Sequence, residues 1–136
     1  DLDATQATYD AAELLAEHFN EVLLLTPRDG IARDTPLLVA QGIHRRLAAR
    51  RVRLLTCRTA LSLAGRCLTI RHVLTEEAET IAEVDLFAYA SARLPRDSLA
   101  APLRAAGVEV RVVGDALAPR LMLSAVREGQ AAADAL

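Results

Sequence analysis

Gly114 and Asp115 end an apolar run and stand a few residues ahead of Pro119 and Arg120. A glycine at that place lets backbone approach a ligand closely. The N–H groups that open a following helix favour an anion. Asp115 can accept hydrogen bonds from sugar hydroxyls, and Arg120 can meet a phosphate or a carboxylate. A plain strand–helix turn with a capping aspartate stands as the other reading. A second constellation, Cys57 with His72, has the types of a thiolate pair. The preferred reading there is a small buried hydrophobe beside a satisfied imidazole. Arg45, Arg46, Arg50, Arg51 and Arg53 crowd the end of one helical stretch. They read as a solvated face complementing a helix C-terminus, with an anionic partner surface as the alternative. His18 and His44 have no visible partners, and Ser98 and Ser124 lack a nucleophile-elbow context. No residue reads as catalytic.

Composition narrows the classes. The chain has 136 residues, of which 52% are hydrophobic and 25% charged, enough for one domain with a real core. Its net charge of −2 and 3% aromatic content argue against a nucleic-acid binder. All 16 basic residues are arginine, which excludes lysine Schiff-base and P-loop chemistry. Two cysteines cannot build a disulfide framework or a four-ligand zinc site. No apolar run approaches a membrane-spanning length and no signal peptide is evident, so a cytoplasmic setting is expected. A first residue of Asp1 rather than Met suggests a fragment or a processed product.

The elements that must position these residues follow from periodicity. Ala7, Ala11, Leu14, Leu15 and His18 share one face of a helix over 4–18. Residues 21–26 form a short apolar strand of the buried, parallel kind. Thr35 caps a helix that opens on Pro36 and runs to about Arg51, with Val39, Ile43 and Leu47 inward. A strand at 52–55 completes an α-β-α-β order, which describes a parallel sheet with crossover helices. Alternation then changes to period two. Folding at Ala64-Gly65 sets Leu61 opposite Leu68, Thr59 opposite Ile70 and Cys57 opposite His72, a hairpin with one buried face. Glu76, Glu77 and Glu79 make an acidic turn, residues 80–83 add a third strand, and 84–90 form a further buried strand. Asp97 or Ser98 opens a short helix with Leu99 and Leu103 inward and Gly107 as its C-terminal cap. Residues 108–113 form the last strand. A helix from about Pro119 packs through Leu121, Ala125, Gly129, Ala132 and Leu136.

The order is that of a Rossmann-like α/β nucleotide-binding fold with an antiparallel meander over 57–83. It is similar to the flavin- and nicotinamide-binding domains of pyridine-nucleotide reductases. Residues 79–95 (ETIAEVDLFAYASARLP) resemble the segment that closes the meander in that group. Residues 112–129 (VVGDALAPRLMLSAVREG) resemble the C-terminal flavin-fold signature. The Gly-Asp-x-x-Ala-Pro-Arg version resembles the trimethylamine dehydrogenase and 2,4-dienoyl-CoA reductase family, and residues 22–27 are similar to the second strand of its smaller domain. The resemblance implies that residues 1–107 correspond to an inserted NAD-like domain and 108–136 to the returning end of a FAD-like domain. It places the first strand of the sheet before Asp1. It implies that FMN and an iron–sulfur cluster belong to a barrel outside this chain. Cys57 and Cys67 lack cluster-ligand spacing.

The resemblance carries FAD or ADP binding onto Gly114, Asp115, Ala118, Pro119 and Arg120. In the NAD-like part it implies a Gly-x-Gly-x-x-Gly turn where this chain has DLDATQ over residues 1–6. The acidic ribose ligand after the second strand is replaced by Thr26, Pro27 and Arg28, and Ser91-Ala92 stands where relatives carry Thr-Gly. Weak NAD(P) binding is therefore expected. The expected role is a structural module of an NADH:flavin oxidoreductase whose partners are the rest of that enzyme or a second copy, with neither nucleic acid nor membrane. The alternative is a stand-alone module that binds an adenine nucleotide or a protein.

Overall fold

A computed structural model describes residues 1–135. Two compact units group Asp1–Ala92 and Arg93–Leu136. This boundary lies at Ala92/Arg93, whereas the sequence reading divides the chain at 107/108. The class is mixed α/β: a two-stranded parallel sheet and a three-stranded antiparallel sheet.

The first unit opens with α1 (Gln6–Leu15), β1 (Leu23–Leu25), α2 (Leu37–Ala49) and β2 (Arg53–Leu55). The two strands pair in parallel with Leu24 opposite Leu54, the register that a crossover helix permits. Leu24, Ile43, Leu47 and Val52 form the core with Tyr9 and Ala12. Here the expected face of α1 is wrong. Leu14 is 57% exposed, and Ala7, Ala11 and His18 face solvent too. Tyr9 takes the inside position because its hydroxyl accepts the Ala32 N–H at 2.9 Å. A satisfied phenol buries more apolar surface than the alanines it displaces. On α2, Ile43 and Leu47 are buried as expected, while Val39 is 49% exposed because the helix meets the core only from Ala40 onward. Pro36, not Thr35, occupies the N-cap position, and no side chain caps it.

Ion pairs lace α1 to α2. Arg46 reaches Glu13 at 2.9 Å and Asp10 at 3.3 Å, and Arg50 reaches Glu17 at 2.7 Å. The hydrogen bond to Glu13 raises the Arg46 pKa further above its ordinary value, so its charge is permanent. Arg53 pairs with Glu21. Three of the five clustered arginines thus have acidic partners within the unit.

The meander follows: β3 (Arg58–Ala64), β4 (Cys67–His72) and β5 (Ala78–Ile81). Its register differs from the expected one. Gly65 and Arg66 form a two-residue loop, so Ala64 pairs with Cys67 and Leu63, not Leu61, opposes Leu68. An irregularity at Leu61, between Ala60 and Ser62, absorbs one residue. Beyond it Thr59 meets Arg71, Ala60 meets Ile70, and His72 opposes Arg58 rather than Cys57. Gly65 at φ +59° supplies the left-handed residue that such a loop needs. Leu68 and Ile70 are buried, whereas Leu74 is 76% exposed. The third strand starts at Ala78, two residues earlier than expected, and it includes Glu79, which ion-pairs with Arg58 across the sheet.

The expected strands at 84–90 and 108–113 carry no ladder among the described residues. Their residue types suit a buried strand, but burial needs neighbours on the edges. Leu86, Phe87 and Tyr89 stay exposed, and Ala90 only accepts the Leu2 N–H at 3.0 Å.

The second unit has α3 (Ala100–Ala105), a 3-10 turn (Gly114–Ala116) and α4 (Met122–Asp134). Gly107 caps α3 as expected, at φ +80°. Val108 N–H reaches Leu103 O and Gly107 N–H reaches Arg104 O, the Schellman pair. Leu99 and Leu103 do not point inward: they are 72% and 41% exposed, and Ala100 is the buried residue of that helix. Ala125, Gly129 and Ala132 form the half-buried face of α4, while Leu121 at the N-cap is 78% exposed. Leu136 lies outside the described residues. Among those described, no helix is long and apolar enough to cross a membrane.

Candidate functional site

The turn after residues 108–113 is built on Gly114. It is buried, at φ +62°, and a Cβ placed there would come within 3.2 Å of the Ala125 Cβ. A side chain there would be strained by the angle and would press on α4. Its carbonyl accepts the Leu117 N–H at 2.9 Å and the Ala118 N–H at 3.0 Å, which closes the turn. Its own N–H donates to Glu128 Oε2 at 2.7 Å. The other oxygen of Glu128 takes the Arg120 guanidinium, and Arg120 Nε donates to Ala118 O at 3.3 Å. Asp115 is exposed, and its carboxylate has no hydrogen bond or ion pair among the described residues. Ala118 and Pro119 are half-buried beside it.

All five residues read from the sequence therefore lie on one turn. The arrangement gives them separate tasks. Asp115 offers an unengaged acceptor of the kind that a ribose or polyol hydroxyl pairs with. Arg120 already has a carboxylate partner. Glu128 is the residue that the sequence reading missed. A signal for it existed: it falls between Ala125 and Ala132 at helical spacing, so it is the one acidic side chain on a face of small residues.

The turn at residues 1–6 is held by its own side chains. Ala4 sits at φ +54°, a left-handed position, and its N–H donates to Asp1 Oδ1 at 2.8 Å. Asp3 gathers the opening of α1: Oδ1 accepts from Thr5 N–H at 3.1 Å and from Thr8 Oγ1 at 2.6 Å, and Oδ2 accepts from Thr5 Oγ1 at 2.7 Å. An internal carboxylate stands at the helix start, where an incoming anion would look for donors. Arg28 is turned into the same loop. It donates to Leu2 O at 3.0 Å and lies 3.5 Å from Asp1 Oδ2.

The remaining candidates disperse. His72 Nδ1 accepts the Leu74 and Thr75 N–H groups at 3.2 and 3.1 Å, so it organises the acidic turn and not a thiolate. Cys57 and Cys67 are free thiols. Among the described residues no three His, Cys, Asp or Glu side chains converge as metal ligands. His18 and His44 are exposed.

No protein-family model matches the chain, and no curated protein is significantly similar to it. Solved structures do match. Histamine dehydrogenase from Rhizobium sp. 4-9 superposes with a TM-score of 0.80 over 100% of this chain and 22% of its own, at 24% identity. The 6-hydroxypseudooxynicotine amine oxidase of Pseudomonas geniculata N1 gives 0.84 over 97% of this chain and 20% of its own, at 19% identity. A 2-naphthoyl-CoA reductase gives 0.74 over 94% and 19%, at 22% identity. The fold is shared with these oxidoreductases. The resemblance read from the sequence therefore holds at the level of fold. This chain spans about a fifth of the length of each.

Proposed function

We propose that this chain is the C-terminal nucleotide-binding-like module of an FMN- and iron–sulfur-containing NADH:flavin oxidoreductase, with a structural role and a degraded nicotinamide site. One observation carries the reading: the whole chain is matched within histamine dehydrogenase yet accounts for 22% of it. The exposed apolar segment around Leu86 and Tyr89, and a second unit whose buried residues among those described are Ala100 and Gly114, support a module that packs against more protein. Asp3 and Arg28 fill the turn where a dinucleotide would enter, which supports the loss of that site. FAD or ADP would be held by Asp115 on a sugar hydroxyl, with Gly114, Ala118, Pro119 and Arg120 shaping the turn. No catalytic residue is assigned to this chain; the flavin and cluster of the parent enzyme would supply the redox chemistry.

The test is the intact mass of the native polypeptide together with its bound flavin. A mass of about 70 kDa, several domains of ~100–200 residues each, is expected. A native mass near 14.6 kDa would sink the reading. Calorimetric titration of the chain with NADH should show no binding at micromolar concentration. A second reading, a stand-alone module binding an adenine nucleotide, rests on the unengaged Asp115 carboxylate. Saturable binding of ADP to a native 14.6 kDa protein, lost in Asp115→Ala, would establish it.

A further inference from the structure

We infer that Glu128 is the positioning residue of the Gly114–Asp115 turn, with Arg120 serving as the second arm of the same clamp. The inference rests on the reading of Asp115 as a sugar-hydroxyl acceptor and adds how that acceptor is held.

The segment leading into the turn has no ladder, so the Gly114 N–H has no strand to pair with. Gly114 is buried, and a buried N–H without a partner is costly. Glu128 supplies that partner from the middle of α4, at 2.7 Å. The same carboxylate binds Arg120, whose Nε returns to Ala118 O. One side chain therefore ties the first residue of the turn, its last residues and the helix beneath it. The Glu128 side chain is 23% exposed, against 47% for Arg120, so the clamp closes from the protein side. Asp115, between the two tied ends, is the one acidic group of the turn left free, and it faces solvent. The clamp also neutralises Arg120, which leaves a hydroxyl-bearing sugar rather than a bare phosphate as the group that the turn suits.

The experiment compares wild type, Glu128→Ala, Glu128→Gln and Arg120→Ala in the full chain, by amide hydrogen exchange and by titration with ADP. Glu128→Ala should speed exchange at Gly114 roughly tenfold, the equivalent of one ordinary hydrogen bond, and weaken ADP by a similar factor with Asp115 intact. Glu128→Gln keeps an oxygen that accepts the Gly114 N–H, so it should restore most of the protection. A role confined to helix α4 would not show that selective rescue. Arg120→Ala should speed exchange at Leu117 and Ala118, and it keeps the test available should Glu128→Ala fail to fold. Unchanged exchange at Gly114 in Glu128→Ala, or at Leu117 and Ala118 in Arg120→Ala, overturns the clamp. Tighter ADP binding in Glu128→Ala also overturns it, because Glu128 would then be a competing anion. If wild type binds no ADP, the nucleotide reading of the turn fails by itself, and the exchange rates still decide the clamp.

Discussion

Ala4 shows how local hydrogen bonds can hold a non-glycine residue in a left-handed conformation. Its φ of +54° is left-handed, a region that costs an L-residue with a Cβ about 1–2 kcal/mol. Hydrogen bonds from its neighbours hold it there: Asp1 accepts its N–H, and Asp3 collects Thr5 and Thr8 just beyond. Ala4→Gly should therefore stabilise the chain, by roughly 0.5–1 kcal/mol once the flexibility of glycine in the unfolded state is set against the relieved strain. The measurement is the urea midpoint at constant slope. A lower midpoint would show that the Ala4 methyl contributes packing that outweighs the strain. Glu128 teaches the converse lesson at Gly114, where glycine remains and a remote carboxylate completes the turn.

At the scale of elements, α4 depends on the extended segment beside it more than on its own burial, since none of its residues is fully buried. Arg111 donates to Ala132 O at 2.9 Å and to Ala135 O at 2.7 Å, two carbonyls at the helix C-terminus. Carbonyls in the last turn have no partner further along a helix that ends there, and a cation beside them also meets the negative end of the helix dipole. Arg111→Ala should cost about 1 kcal/mol and fray the last turn, read as faster amide exchange confined to the end of α4. Uniform exchange along the helix in both proteins would contradict that role. Acids in and just past α1 make a comparable pairing with arginines in and just past α2: Glu13 meets Arg46, and Glu17 meets Arg50. Both pairs repeat at a spacing of four, whereas the sequence reads the arginines as a solvated face complementing a helix C-terminus, with an anionic partner surface as the alternative.

For the whole molecule, the exposed apolar surface is the decisive feature. Leu86 is 52% and Tyr89 73% exposed, on a segment of the first unit without a ladder among the described residues. Unpaired strand-like backbone with apolar side chains invites another chain. The isolated chain should accordingly self-associate as its concentration rises, measured by sedimentation velocity. Substituting Leu86→Lys and Tyr89→Lys should shift it towards monomer. A monomer at every concentration would remove this argument for packing against a larger enzyme.

The α-β-α-β order, the meander, the Gly107 cap and the turn at Gly114 were legible in the sequence, because local periodicity and glycine positions govern them. The fold-level family resemblance was legible for the same reason: Gly-Asp-x-x-Ala-Pro-Arg is a contiguous stretch on one turn. Four features were not. Tyr9 displaced the expected face of α1 because its hydroxyl found the Ala32 N–H, a partner 23 residues away. Leu61 fell into an irregularity because the loop at Gly65 fixed the pairing from the other end. The segments at 84–90 and 108–113 have strand residues but no ladder, since pairing needs a neighbour that no local pattern reports. Glu128 met Gly114 and Arg120 because α4 folds back across the turn. Periodicity assigns a residue to an element and a face; only tertiary packing decides which distant donor or acceptor it meets, and that choice set the geometry of the candidate site.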